Sequence, residues 1–120
     1  GERVGARNQQ FEVGRRLSEM AIHNGVVYLA GQVAGNPAES ICGQTQQVLD
    51  EVDALLARAG TDKTRILRAE IFLKDLHDFD AMNRVWDAWV VEGHAPPRAT
   101  VQAHLANPHW LVEIVVTAAV

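Results

Sequence analysis

Arg98 is the residue of this sequence best suited to binding a small anion. It follows Pro96-Pro97 directly, and the two proline rings restrict the backbone that leads up to it. A guanidinium fixed in this way presents a planar fork of hydrogen-bond donors that matches a carboxylate. The alternative interpretation is structural, with Arg98 pairing with Glu113 or Glu70 and supporting only the fold.

Glu113 is the second residue whose setting suggests chemistry. It is the only acidic residue after Glu92, and it interrupts a strongly apolar segment near the end of the chain. An unpaired buried carboxylate is costly, so an isolated one is either paired or functional. We expect Arg98 and Glu113 to lie on neighbouring strands, where they would form an anion clamp beside a base that activates water.

The sequence disfavours most other kinds of reactive site. The five histidines show no metal-ligand spacing, so we expect no metal. The two serines lie outside any nucleophile-elbow pattern. The segment 31–35 is glycine-rich but lacks the Lys-Ser/Thr pair of a phosphate-binding loop.

Composition limits the class of protein and its compartment. A chain of 120 residues with 48% hydrophobic and 22% charged residues predicts one globular domain, here spanning 1–120. No apolar segment approaches the roughly 20 residues of a membrane helix, and the start lacks a secretory signal pattern. Cys42 is the only cysteine, which excludes an intrachain disulfide and favours a reducing, cytoplasmic location. A net charge of −4 gives poor attraction to nucleic acid.

The elements that must position Arg98 and Glu113 follow from apolar spacing. Asn24-Gly25 between two apolar segments predicts a tight β-hairpin. A helix is predicted from Ser40, its N-cap, to Gly60, its stop signal. Its apolar stripe comprises Ile41, Val48, Val52, Leu55, Leu56 and Ala59.

In the second half of the chain, apolar residues again follow the alternating spacing of strands or the three-to-four-residue spacing of helices. A strand is predicted over 66–73, a helix over about 79–91, and strands over 98–105 and 111–120. The strand 66–73 would place Leu67, Ala69, Ile71 and Leu73 on one face. The second helix would place Trp86 and Trp89 in the core, and its apolar residues share one side: Phe79, Met82, Trp86, Trp89 and Val90.

The order β-β-β-α-β-α-β-β predicts an α+β fold with two helices on one face of a mixed sheet. The segment 1–16 is the least regular, with Phe11 and Val13 able to face inward on a short edge strand. The opposite sheet face is also partly apolar, through Tyr28, Ala30, Val115 and Thr117. An apolar second face on so small a domain predicts a homo-oligomer.

Several segments, in this order, resemble the RidA/YjgF family, also called the L-PSP endoribonuclease family. The resemblance runs from about Ser18 to Val120, and the stretch 86–96 is most similar to the YoaB-like branch. The segments are Val27–Gln32, Gln44–Leu49, Phe79–Asn83, Pro97–Val101 and Leu111–Ile114.

The resemblance implies a chorismate-mutase-like fold and a homotrimer with three clefts between subunits. It also implies hydrolysis of reactive 2-imino or 2-enamino acids to 2-keto acids and ammonia, without metal or organic cofactor. The family arginine that grips the substrate carboxylate corresponds to Arg98, and the glutamate that places water corresponds to Glu113. Gly31 and Asn83 correspond to positions lining the cleft, and Thr100 stands where a cysteine is common.

Two positions depart from the best-studied branch of the family. Leu17 replaces a cleft tyrosine and Ala30 replaces a serine, so the resemblance implies a more apolar cleft with two fewer hydroxyl groups.

Two main hypotheses about function follow. The first is an imine deaminase that uses Arg98 and Glu113; the second is a non-enzymatic trimer that binds small carboxylates and needs only Arg98. An interaction scaffold needs neither residue, and a ribonuclease is least favoured by the acidic charge.

Overall fold

The computed structural model describes residues 9–120, which form one six-stranded sheet covered on one face by two helices. The strands are β1 (Gln9–Val13), β2 (Ser18–His23), β3 (Val26–Leu29), β4 (Ile66–Leu73), β5 (Arg98–Gln102) and β6 (Val112–Ala119). The helices are α1 (Ile41–Arg58) and α2 (Phe79–Trp89). This confirms the predicted order of elements.

The strands lie in the order β1-β2-β3-β6-β4-β5. All neighbours are antiparallel except β4 and β5, which are parallel and are connected through α2. The sheet is therefore mixed, as expected. Strand β5 ends the order, so its outer edge is open to another chain.

The hairpin and the first helix form as their local signals predict. Asn24 and Gly25 have φ angles of 51° and 77°, the left-handed pair that a type I′ turn between β2 and β3 requires. The Ser40 hydroxyl accepts a hydrogen bond from the Gly43 amide at 3.3 Å, which caps α1. Gly60 ends it with a φ of 82°.

The core lies between the helices and one face of the sheet. Val48, Val52, Leu55 and Leu56 of α1 are buried there, as are Met82, Trp86 and Trp89 of α2. Alternate residues of β6 complete it: Val112, Ile114, Val116 and Ala118. No helix in this part of the chain is long and apolar enough to cross a membrane.

The face predicted for strand 66–73 is wrong at Leu67. Leu67 is 49% exposed and Ile66 is buried instead. The register between β4 and β6 shifts between Ile66 and Arg68, where β4 carries an extra residue. This β-bulge rotates Leu67 out of the alternation.

Three predicted boundaries or faces also differ. Helix α2 ends at Trp89, because Val90 adopts an extended backbone, and β5 ends at Gln102 rather than at 105. In the edge strand β1, Phe11 packs against the core, but Val13 at the strand end is 66% exposed. The part of the irregular-segment prediction that covers 1–8 lies outside the described residues.

The sheet face opposite the helices carries many apolar side chains, as predicted. Tyr28 pairs with Thr117 on this face and is 50% exposed. Val101 of β5 also lies there and is 47% exposed. We call this surface the open face.

Candidate functional site

Arg98 lies on the helix side of the sheet, at the start of β5. It pairs in register with the fully buried Ala69, so its side chain points toward α2. Nη1 donates a hydrogen bond to Asn83 Oδ1 at 2.8 Å. Glu70 instead pairs with Arg68 at 2.9 Å. Within residues 9–120 no carboxylate pairs with Arg98, so the structural alternative in which Glu113 or Glu70 neutralises it is wrong.

One stripe of α2 forms the surroundings of the Arg98 guanidinium. Phe79, Asn83 and Trp86 follow each other at spacings of four and three, which places them on one helix face. The Arg98 Cζ lies 5.2 Å from the centre of the Trp86 ring and 6.0 Å from that of Phe79. The guanidinium is thus held by two aromatic rings and one amide, none of which carries a negative charge.

Thr100 lies on the same side of β5, two residues after Arg98. It pairs in register with the fully buried Ile71, which fixes its orientation toward the helices. Its hydroxyl oxygen is buried and has no hydrogen-bond partner in the described part of the chain. A buried hydroxyl without a hydrogen-bond partner costs free energy.

Glu113 lies on the open face, away from Arg98. It pairs with Phe72 in register and alternates with the buried Val112 and Ile114. Strand β4 separates β6 from β5, so the prediction that Arg98 and Glu113 occupy neighbouring strands is wrong. The two residues also project from opposite faces of the sheet, so they form no clamp within one protomer.

Gly31 lies beside Glu113, and Ala30 precedes it in the chain. A Cβ atom at Gly31 would stand 2.9 Å from the Glu113 Cδ, so a larger residue here would force the Glu113 carboxylate to move. The Ala30 amide donates to the Glu19 carbonyl at 2.8 Å, which continues the pairing of β2 with β3. Leu17 precedes β2 directly and is 56% exposed.

The structure therefore divides the predicted residues into two groups. The first, which we call the arginine group, comprises Arg98, Thr100 and Asn83 on the helix side. The second, the glutamate group, comprises Glu113, Gly31 and Ala30 on or beside the open face, with Leu17 at the start of β2.

Gln32 and Glu19 support the glutamate group and were missed by the sequence reasoning. Gln32 Nε2 donates to Glu19 Oε2 at 3.0 Å and to the Ala30 carbonyl at 2.9 Å. The Gln32 backbone also exchanges two hydrogen bonds with Ile114 of β6. Gln32 therefore ties the 30–31 segment to the strand that carries Glu113. Gln32 ends the segment Val27–Gln32 that carries the family resemblance, but this position by itself does not identify its partners.

The turn that begins α2 carries a perturbed carboxyl group. Burial raises the pKa of Asp78, and the negative charge of Asp75 raises it further. Because the fold then binds the Asp78 proton more tightly than the unfolded chain does, the ionised form costs stability. That cost is present at neutral pH and disappears as the pH falls below the ordinary aspartate value of 3.8.

A shallow pocket of about 220 Å³ opens beyond the end of β5, lined by Lys74, Gln102, Ala103 and His104. None of the candidate residues lines this pocket. Residues 9–120 contain no cluster of three or more His, Cys, Asp or Glu side chains that would hold a metal ion.

Comparison with known proteins gives matches over nearly the whole chain. The family model described as Endoribonuclease L-PSP matches residues 8–120. A RutC family protein of Haemophilus ducreyi is 51% identical over 111 residues, which cover 92% of this chain and 95% of the relative. The RutC family protein YoaB of Escherichia coli is 50% identical over 105 residues, covering 88% and 91%.

Solved structures agree with these matches. A member of the YjgF protein family from Neisseria meningitidis superposes with a TM-score of 0.93 at 43% identity, and 96% of each chain is covered. The similarity therefore concerns the whole domain, including both groups of candidate residues.

Proposed function

Because the chain belongs to the endoribonuclease L-PSP (RidA/YjgF) family, we propose that it hydrolyses 2-imino or 2-enamino acids to 2-keto acids and ammonia. The observation that carries this proposal is the state of Arg98. Its guanidinium is half-buried and oriented by Asn83 and Trp86, and no carboxylate of residues 9–120 neutralises it. A positive charge prepared in this way is suited to a ligand carboxylate.

The site is completed between protomers of a homotrimer. The arginine and glutamate groups lie on opposite sides of one sheet, so Arg98 of one protomer must act with Glu113 of another. The apolar open face and the free edge of β5 supply surfaces through which two copies can meet.

The proposed reaction needs only positioning and modest acid–base help. Arg98 binds the substrate carboxylate, and Glu113 orients a water molecule toward the C2 carbon of the iminium group. Water adds to C2 as Glu113 accepts one of its protons, which gives a carbinolamine. Glu113 then returns this proton to the amine nitrogen, and the C2–N bond breaks as the hydroxyl oxygen loses its proton to the departing ammonia, which leaves the 2-keto acid and ammonium. General-base help of this kind contributes about 10²–10⁴-fold, and orientation of the reacting water adds to it.

The departures at Leu17 and Ala30 favour a second candidate function. Neither side chain offers a hydrogen-bonding group, so water and the leaving nitrogen lose two partners in the cleft. A trimer that binds small carboxylates without turnover would need Arg98 but not Glu113. Ribonuclease activity is not supported: the net charge is −4, and Trp86 and Trp89 are too buried to stack on bases.

The deciding experiment is an ammonia-release assay on imines made in the cuvette. An amino-acid oxidase generates imines from several amino acids, and a pyridoxal-phosphate dehydratase generates 2-aminoacrylate from serine. We expect the protein to raise the rate of ammonia release above that of spontaneous hydrolysis. If 2-keto acids bind but no imine is hydrolysed faster than in buffer, the carboxylate-binding function replaces the enzymatic one.

A further inference from the structure

Helix α2 carries two tryptophans that play different parts. The ring centres of Trp86 and Trp89 are 5.3 Å apart, and both side chains are buried at 4% and 7% exposure. Each ring also faces a cation: Arg98 lies 5.2 Å from the centre of Trp86, and Lys63 lies 5.1 Å from that of Trp89. Only the first of these cations belongs to the candidate site.

The contacts of Arg98 fix its guanidinium in two independent ways. The Arg98 Cζ lies over the Trp86 ring, 5.2 Å from its centre, where the face of the indole attracts the cation. The hydrogen bond from Nη1 to Asn83 restricts rotation of the guanidinium. A free arginine side chain has many rotamers, and ordering them on ligand binding costs affinity.

We propose that Trp86 is a positioning residue for the carboxylate site. It acts through Arg98, holding the guanidinium fork in its binding orientation before a ligand arrives. This inference rests on the proposed binding of a substrate carboxylate by Arg98, and it adds a role for a residue that otherwise belongs only to the core.

The test compares matched substitutions of the two tryptophans. Binding of 2-oxobutanoate is measured by calorimetry for the wild type, Trp86→Leu, Trp86→Tyr and Trp89→Leu, after thermal unfolding has shown each to be folded. We expect Trp86→Leu to weaken binding about tenfold and Trp86→Tyr to restore most of it, because the tyrosine ring still faces the cation. Trp89→Leu should change the affinity less than twofold, although it removes a buried indole from the same helix.

A second measurement keeps the inference testable if Trp86→Leu does not fold. The chain has three tryptophans, so a variant with Trp89→Phe and Trp110→Phe retains only Trp86. Binding of 2-oxobutanoate to Arg98 should alter the fluorescence of this single tryptophan, with the same dissociation constant as calorimetry gives. Calorimetric binding without any fluorescence change would contradict the inference.

The outcomes separate this inference from the proposed function. If the wild type does not bind 2-oxobutanoate, the proposed function and the role of Trp86 are both overturned. If the wild type binds and Trp86→Leu binds equally well, only the role of Trp86 is overturned. If Trp89→Leu weakens binding as much as Trp86→Leu does, the effect is one of general core packing and the positioning role is rejected.

Discussion

At the scale of single residues, Arg98 is held by partners that leave its charge uncompensated. Asn83 accepts one hydrogen bond, and two aromatic rings lie against the guanidinium. The exposed Arg68, by contrast, pairs with the Glu70 carboxylate. The arrangement therefore favours a ligand role for Arg98.

The substitution Arg98→Ala tests this role directly. We expect the protein to stay folded and to lose 2-keto-acid binding by about 2–5 kcal/mol, the usual cost of removing a desolvated charge contact. Calorimetry measures the loss. Arg68→Ala, which removes an exposed arginine of the next strand, serves as the control and should leave the affinity unchanged. Unfolding of Arg98→Ala would favour a structural role instead.

The role of Glu113 distinguishes the two proposed functions, because an enzyme would need it for turnover and a carboxylate-binding protein would not need it. Glu113→Gln keeps the size of the side chain but removes its basic carboxylate, so turnover should fall about 100-fold while 2-keto-acid affinity stays nearly the same. Steady-state ammonia release and calorimetry measure the two quantities. Glu70→Gln changes another acid of the open face and should alter neither. Equal turnover of wild type and Glu113→Gln would reject the assignment of Glu113 as the base.

The sequence indicated which residues are candidates for the site better than it predicted where they lie in the fold. Arg98 stands out because it follows two prolines, and Glu113 because it interrupts an apolar segment. The structure does place Asn83 beside Arg98 and Gly31 beside Glu113. Their functional roles remain predictions. The partners Trp86, Gln32 and Glu19 were not identified, because their contacts join segments that lie far apart along the chain or across a turn.

At the scale of elements, local signals predicted each helix and strand but not how the strands assemble. The Asn24-Gly25 turn and the Ser40 cap depend on a few adjacent residues, so the sequence alone sufficed for them. The placement of β4 between β5 and β6 depends on which strands meet after long connections. The bulge at Leu67 depends on the register with β6. Neither is encoded in a local pattern.

Gln44 of α1 shows how one buried polar residue orders the loops around the site. Its side-chain Nε2 donates to the carbonyls of Pro37 and His109 at 3.0 Å and of Glu39 at 3.2 Å. Its Oε1 accepts a hydrogen bond from the Leu111 amide at 2.9 Å. Gln44 thereby joins the loop before α1 to the loop that leads into β6 and Glu113.

Removing the side-chain amide of Gln44 should lower the stability of the fold. Gln44→Met preserves the volume of the buried side chain but removes its hydrogen bonds to four backbone groups. We expect the free energy of unfolding to fall by about 2–4 kcal/mol, measured by urea denaturation. Gln46→Met, on the exposed face of the same helix, should change it by less than about 0.5 kcal/mol. Similar losses from the two variants would show that helix propensity, and not the hydrogen bonds of Gln44, causes the effect.

At the scale of the whole molecule, the two groups of candidate residues determine what kind of assembly the proposed site needs. Arg98 lies near the edge strand β5, whereas Glu113 lies on the open face. If these different surfaces meet head to tail, the interface is heterologous, and repeated heterologous contacts form a ring where the rotation closes. The trimer that we propose is such a ring.

The expected mass follows from this assembly. Three copies of the 13.2 kDa chain give about 40 kDa, which light scattering can measure at micromolar concentration. Val115→Asp would bury a carboxylate in the apolar open face and should yield monomers, because an unpaired buried charge is costly. Ala88→Asp on the exposed side of α2 should leave the mass unchanged. A wild-type protein that stays monomeric would exclude a site shared between subunits.

Mixing two inactive variants tests whether each site takes Arg98 from one protomer and Glu113 from the next. Arg98→Ala retains Glu113, and Glu113→Gln retains Arg98, so a mixed ring contains some clefts in which both residues are intact. If the variants are unfolded together in equal amounts and refolded, random assembly makes each cleft intact with a probability of one half times one half. Turnover should therefore recover to about a quarter of the wild-type value.

Mixing the folded proteins without exchange of subunits should give no recovery, which serves as the control. If co-refolding also gives none, although mixed rings are detected by mass, Arg98 and Glu113 must act within one protomer or in separate sites. The opposite faces that they occupy in the sheet lead us to expect recovery.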